Sequence, residues 1–281
     1  MKSPSRLLSA CKTALADGLR RSSPGVNLSD NGYVNAPTEN LLQGLHFGDF
    51  RSDFDQGSGN ELVGKFLAAH SSSALGANSF GPFKTDPGAL RLLGQDGFHR
   101  LDFERKCPNG LRRGTPPNLD LLVEGERSIV AVESKCLEYL SPKPAAFSPA
   151  YSAEIIDDRR GTRWFAEMGR LLQEPRTYRW LDATQLVKHA YGLMRTFSNH
   201  SAPVTLLYLY WEPMNPGVSP IFAEHRDEID QFATAVAGER LGFASMSYLE
   251  LWSGWATSAS LPWLPIHVER LRERYMVAVH C

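Results

Sequence analysis

The segment PPNLDLLVEGERSIVAVESKCLEYL, residues 116–140, constrains the fold more tightly than any other. Two short runs within it, NLDLLV and SIVAVESK, are almost continuously apolar and are separated by little more than EGER. Runs of this length, rich in Leu, Val and Ile and joined by a tight turn, predict an antiparallel pair buried on both faces, at the centre of a sheet. Yet the first run carries Asp120, and the second carries Glu133 and Lys135. Charged side chains are rarely buried without a partner, so the question is what these three do there.

Whether EGER forms a two- or a four-residue turn, Val123 is expected opposite Ser128, Asp120 opposite Ala131, and Asn118 opposite Glu133. Side chains alternate along a strand, so Asn118, Asp120, Ala131, Glu133 and Lys135 then share one face, with Asp120 and Glu133 as diagonal neighbours. Two carboxylates about 5 Å apart repel by roughly 3 kcal/mol at an effective dielectric near 20. Lys135 offsets part of that charge. What remains is an oxygen-rich, net negative site that suits Mg²⁺ or Mn²⁺; with no sulfur and no nearby histidine ligand, it does not suit zinc.

Flanking segments supply a context for the hairpin. GSGNELVGKFLAAHSSSAL is expected to begin a helix, capped by Ser58 or Asn60, with Leu62, Val63, Phe66 and Leu67 on one face. FHRLDFERKC alternates as a strand with one wet face, to which Arg100, Asp102 and Glu104 belong. After the hairpin come short helical stretches around YSAEIIDD and TRWFAEMGRLL, followed by the helix DATQLVKHAYGLMRTF. Its apolar face holds Leu186, Ala190, Leu193, Met194 and Phe197, and its polar face Gln185, Lys188, Gly192 and Arg195. VTLLYLYWEP is a further buried strand, reached through these helices and therefore expected to lie parallel to its neighbour. The order is helix, three-strand meander, crossover helices, strand: an α/β fold with a central mixed sheet flanked by helices.

Asp120 in PPNLDLLV, and Glu133-Ser134-Lys135 in VAVESK, resemble the signature of the PD-(D/E)xK phosphodiesterase superfamily, whose fold is restriction-endonuclease-like. Glu61 in GNELVGKF supports the match, which covers roughly residues 61–211. The proline of the motif is displaced: Pro117 does not directly precede Asp120. The resemblance implies that Asp120 and Glu133 bind Mg²⁺ (or Mn²⁺), with a backbone carbonyl near Ser134, and that Glu61 completes the acidic cluster. It also implies that Lys135 orients or helps to deprotonate the attacking water. Gln185 and Lys188 on the crossover helix would support the site or touch the substrate backbone. Arg159, Arg160, Arg163, Arg170, Arg176 and Arg179 form a candidate phosphate-contact surface, with Arg160 and Arg163 foremost.

The resemblance thus implies a Mg-dependent endonuclease acting on DNA in a defence or repair setting. Cutting both strands of a duplex would call for two active sites, hence a homodimer or transient pairing. Two rival readings belong to other classes. One is a catalytically silent nucleic-acid-binding module that keeps the fold, and the other is a structural or partner-binding protein whose hairpin charges are ion-paired. Absence of divalent-metal binding would favour the second.

Composition sets the remaining bounds. A hydrophobic content of 42% in 281 residues supports a full core, and Lys+Arg 30 against Asp+Glu 31, net −1, means that any polyanion site must come from local clustering. The four cysteines form no CxxC pair, which fits a reducing cytoplasm and neither a disulfide framework nor a structural zinc site. The start of the chain does not read as a signal peptide, and no run approaches a membrane span. After a short amphipathic stretch at 7–19, turn formers dominate, so residues 1–40 are expected to form a loosely attached arm. Residues 41–281 then form one nuclease-like domain with a C-terminal helical elaboration. His189 and the tryptophan-rich segment near the C-terminus are expected to serve packing.

Overall fold

The computed structural model of the protein describes residues 3–56, 62, 64–111, 117–153, 162–257 and 261–280. Five strands, β1 (Phe98–Lys106), β2 (Asn118–Gly125), β3 (Ile129–Lys135), β4 (Val204–Tyr210) and β5 (Leu241–Ser247), lie side by side in chain order. The first three form an antiparallel meander, while β4 runs parallel to β3 and β5 parallel to β4. The helices are α1 (Pro4–Ser22), α2 (Arg51–Asp55), α3 (Ser72–Phe80), α4 (Pro149–Ala153), α5 (Arg163–Gln173), α6 (Ala183–Thr196), α7 (Pro220–Val236), α8 (Tyr248–Ala256) and α9 (Leu264–Tyr275).

Both faces of the sheet are covered, which is why its central strands can be apolar throughout. On one side Val123, Val130, Val132 and Leu207 pack with residues of α1, α3, α8 and α9, including Leu15, Leu75, Trp252 and Leu271. On the other side Leu122, Ile129, Ala131 and Leu206 pack with α5, α6 and α7 through Trp164, Leu186, Ala190 and Phe232. Two of the tryptophans near the C-terminus serve this core: Trp252 and Trp255 are buried, and the Trp255 indole donates to the Arg91 carbonyl (2.8 Å), whereas Trp263 is exposed.

Several local expectations change. The hairpin register is shifted by two residues. The Gly125 N–H donates to the Ser128 carbonyl (2.9 Å), so Glu126 and Arg127 make the turn, and Val123 pairs with Val130 rather than Ser128. A shift of two preserves side-chain parity, so Asp120, Glu133 and Lys135 still share a face. Continued by one residue beyond Leu121↔Val132, this register sets Asp120 directly opposite Glu133 instead of diagonal to it.

Ser58, Asn60 and Glu61 lie outside the described residues. Where a helix was expected through Phe66 and Leu67, the structure has a 3-10 turn, Lys65–Leu67. The helix begins only at Ser72, capped by Ser71, whose hydroxyl accepts from the Ala74 N–H (3.1 Å). β5 and α7 extend the fold beyond the elements expected. β5 was illegible because LGFASMS lacks alternation and is intermediate in burial over most of its length.

The N-terminal helix is firmly docked. Leu7, Cys11, Leu15 and Leu19 recur at helical spacing and are all buried, and burial stabilises by roughly 1.5–3 kcal/mol for each leucine. Gly18 permits the contact with α9, for a Cβ there would come within 2.1 Å of the Arg274 carbonyl. A similar close approach places Gly192 on the packed side of α6 and not on its polar face: a Cβ would meet the Cys107 carbonyl at 2.4 Å.

Candidate active site

The C-terminal end of β3 emerges between the N-termini of α3 and α6, beside the start of β2. These elements enclose a cavity of about 460 Å³, lined by Asp120, Glu133, Lys135, Gln185 and Glu104 among others. Asp120 holds its place by accepting from the Ser134 N–H (2.7 Å). Ser134 itself points to the opposite layer, where its hydroxyl pairs with Tyr248 Oη (2.7 Å). One residue therefore ties the acidic strand ends to α8.

Glu133 is almost fully buried and is held by two cationic or polar partners. One carboxylate oxygen accepts from Lys135 Nζ, and the other lies 2.8 Å from His189 Nε2. Lys135 Nζ also donates to Gln185 Oε1 (2.9 Å). Gln185 and His189 are one turn apart on α6, so a single helical face aligns both members of the Glu133–Lys135 pair. The helix begins at Asp182, whose side chain accepts from the Gln185 N–H (3.1 Å).

The two carboxyl groups respond in opposite directions. Burial pushes Asp120 well above the usual carboxylate range, and the Glu133 charge adds to the effect; Lys135 and the Ser134 N–H only partly oppose it. Burial acts on Glu133 in the same sense, but Lys135 and His189 outweigh it and hold this carboxylate well below its ordinary value. Burial would discharge Lys135, yet Glu133 and Asp120 reverse that and keep it a firm ammonium. The site thus holds one satisfied carboxylate, one cation and a second carboxyl that lacks a cation of its own.

Glu104 is an acid that the sequence concealed. Expected on the wet face of β1, it is buried beside Phe103, which is also buried, so the alternation breaks there. Its φ is 49°, in the left-handed region, where a non-glycine residue carries a strain of about 1–3 kcal/mol. The register of its neighbours, Phe103↔Leu121 and Arg105↔Leu119, places Glu104 opposite Asp120, and its carboxylate accepts from Asn118 Nδ2 (3.0 Å). No residue pattern signals a positive φ at a glutamate. His189 was the other concealed member, and here a signal existed in its i, i+4 spacing from Gln185.

Other expected contacts lie elsewhere. Lys188 donates to the Ala146 carbonyl (3.2 Å) and sits over the rings of Phe147 and Tyr151, outside the lining of the cavity. Arg163 opens α5 beside Glu239, which accepts its backbone N–H, just before β5 begins at Leu241. That is the strand end opposite Lys135, some six residues or roughly 20 Å away along the sheet. A phosphate at Lys135 is out of its reach. Arg160 and Arg159 lie outside the described residues. Arg170 is paired with Glu167 (2.7 Å). Of the arginine group, Arg179 lines the cavity, stacked over the Trp180 ring at 4.6 Å. Glu228 of α7 fixes that turn by accepting from the N–H groups of Arg179, Trp180 and Leu181.

Among the described residues, no group of three His, Cys, Asp or Glu side chains is arranged to hold a metal ion. Among the described residues, then, the donor set does not make a complete protein cage. It does fit Mg²⁺, which is commonly held by one or two carboxylates and completes its shell with water and substrate phosphate oxygens. The observation in favour is the Asp120 carboxylate, set opposite Glu133 in the cavity with the Ser134 N–H (2.7 Å) as its donor, since a divalent cation beside it would offset the repulsion between the two carboxylates. Each Glu133 oxygen also retains a lone pair beyond those engaged by Lys135 and His189.

Fold and site together define a mixed α/β protein whose central strands carry, at the floor of a cavity, a carboxylate pair of which Glu133 is buried and Asp120 half-buried. A family model described as Restriction Endonuclease associating with ARP matches residues 14–276, and the chain belongs to that family. No curated protein and no solved structure matches the chain. Among the described residues, no helix is long and apolar enough to cross a membrane.

Proposed function

We propose that the protein is a metal-dependent nuclease of the PD-(D/E)xK type, with a restriction-endonuclease-like topology, that hydrolyses phosphodiester bonds in DNA. The observation that carries this reading is the common face of Asp120, Glu133 and Lys135, where one carboxyl is left without a cation of its own. The family's description supports nuclease chemistry, and it motivates a defence or repair setting.

In this reading Asp120 and Glu133 hold Mg²⁺ (or Mn²⁺). When bound, the cation supplies charge neutralisation at the phosphoryl oxygens and acidifies water. Lys135, kept protonated by its two acidic neighbours, serves better as a donor that orients the attacking water or a phosphate oxygen than as a base. Gln185 and His189 are positioning residues that hold Lys135 and Glu133 in line. Glu104 supplies negative charge behind Asp120 and helps to keep its carboxyl in want of a cation, the part first given to Glu61.

The test is cleavage of plasmid and single-stranded DNA by metal-stripped protein, with and without added Mg²⁺ or Mn²⁺, for wild type, Glu133→Ala and Lys135→Ala. Metal-dependent cutting that both substitutions abolish is the expected result. Equal cutting by the variants, or none by folded wild type at any metal concentration, overturns the proposal. A silent nucleic-acid-binding module is then the reading to pursue.

A further inference from the structure

The catalytic cavity does not end at α3. A second cavity, of about 220 Å³, lies against it and shares Lys65, Ser72, Glu138 and Ser141 in its lining. Its far wall is built from Leu8 and Lys12 of α1, from Tyr33, and from His70 and Ser71 just before α3. The two cavities therefore form one path leading away from Asp120 and Glu133, with its outer half made by the N-terminal helix and the segment that follows it.

The chemistry changes along this path. Its inner floor is acidic, whereas its outer half presents Lys12 and Lys65, both exposed, together with the N-terminus of α3. Glu138 stands at the junction, but its carboxylate accepts from the Cys136 N–H (2.7 Å). Tyr33, 38% exposed, presents a ring here that is braced edge-on by His70. The backbone pairs Tyr33 with Ala68, so this ring is on a fixed support. His70 Nδ1 is buried and has no hydrogen-bond partner among the described residues. Burial and the adjacent Lys12 depress the His70 pKa to about 4, so the ring is neutral at pH 7 and one of its nitrogens carries a proton.

Cationic side chains, a helix N-terminus and an aromatic face are what a nucleic-acid strand needs beyond its scissile bond. We infer that the cut strand continues from the catalytic cavity into this second one, where Lys12 and Lys65 contact the next phosphate on that side and Tyr33 stacks on a base. The inference rests on the nuclease reading for the identity of the ligand and deepens it. It makes the N-terminal helix part of the substrate site.

The experiment compares a deoxydinucleotide, with its single phosphodiester, with oligonucleotides extended on its 5′ side only or its 3′ side only. For wild type, extension on one side is expected to lower KM about tenfold, and extension on the other side to change it little. Lys12→Ala and Tyr33→Ala should each lose most of that gain, with kcat on the shortest substrate retained and melting temperature unchanged. Lys12→Arg should keep it. The slope of log KM against log salt should fall by about 1 in Lys12→Ala. Variants that keep the whole gain, or a gain equal on both sides, overturn the inference while leaving the nuclease reading intact.

A parallel arm measures anisotropy of a fluorescein-labelled oligonucleotide on catalytically inactive Glu133→Ala protein, alone and combined with Lys12→Ala. Weaker binding in the double variant supports the path even if wild type cuts nothing, and equal binding or none in both overturns it.

Discussion

Two clusters in this molecule contain one lysine and two carboxylates, and they are built for different ends. On the β1 side, Lys84 Nζ bridges Asp53 (2.6 Å) and Asp102 (3.4 Å) and also donates to the Leu101 carbonyl (2.6 Å). Asp53 accepts in addition from the Phe103 N–H (2.9 Å), and Asp102 is shared with Arg100 (2.7 Å). Every charge there has an opposite charge beside it, water reaches the edges, and the cluster staples α2 to β1. At the end of β3, Lys135 is committed to Glu133, both are more deeply buried, and Asp120 is left with a main-chain N–H as its hydrogen-bond donor. Equal composition gives a staple in one place and an unbalanced site in the other. The difference lies in how many cations the surrounding strands deliver to the second carboxylate.

The sharpest way to break this comparison is to remove one charge from each cluster. Glu133→Gln or Lys135→Ala should lower kcat by about 10²–10⁴-fold, whereas Lys84→Met should leave kcat unchanged; steady-state cleavage kinetics at saturating Mg²⁺ provide the check. Stability should show the reverse ranking. Lys84→Met leaves two carboxylates facing each other and should cost about 2–3 kcal/mol in urea unfolding, less than a fully buried pair because the cluster is partly hydrated. A null result there would mean that the staple is ornamental.

A smaller effect tests the alignment by α6. Gln185→Ala should reduce kcat about tenfold by loosening Lys135, with little change in KM, as for other residues that orient a site from behind. Equal activity would remove Gln185 from the positioning set.

The subtlest test concerns Asp120 in metal-free protein. Its folded pKa lies above the ordinary 3.8, so the native state retains a proton that the unfolded chain releases. The stability this contributes is complete below about pH 3.8 and is lost as pH rises through the folded value. Asp120→Asn keeps the acceptor for Ser134 but cannot ionise, so the variant should gain on wild type as pH rises towards 7 and converge with it in acid. Mg²⁺ should then raise the melting temperature of wild type and not of the variant. Parallel pH profiles for the two proteins would show that Asp120 is not in want of a cation.

Much of the central sheet was legible because its signals are local. The apolar runs, the turn between them and the helix carrying Gln185 all appear where their patterns place them, and period-two alternation was enough to put Asp120, Glu133 and Lys135 on one face. Register was not legible, since EGER permits pairings that differ by two residues and parity is identical in both. The helix expected across Phe66 failed because its apolar spacing there is also satisfied by a 3-10 turn. The cap at Ser71 then starts the helix later, among small residues that carry no amphipathic signal. α1 looked loose because the surfaces it packs on, α9 and the turn Glu138–Leu140, lie more than a hundred residues away in the chain.

The sequence by itself determined the mixed α/β character, the buried hairpin and the placing of two acids and a lysine on one strand face, because backbone periodicity alone dictates these. Tertiary structure alone decided which carboxylate is satisfied. His189 reaches Glu133 only through the crossing of α6 over β3, Glu104 arrives behind Asp120 only through a strained turn of β1, and Lys12 joins the cavity only because α1 docks, Tyr33 because its backbone pairs with Ala68. Charge balance at a buried site depends on distances between segments remote in sequence, and only the packed fold sets those distances.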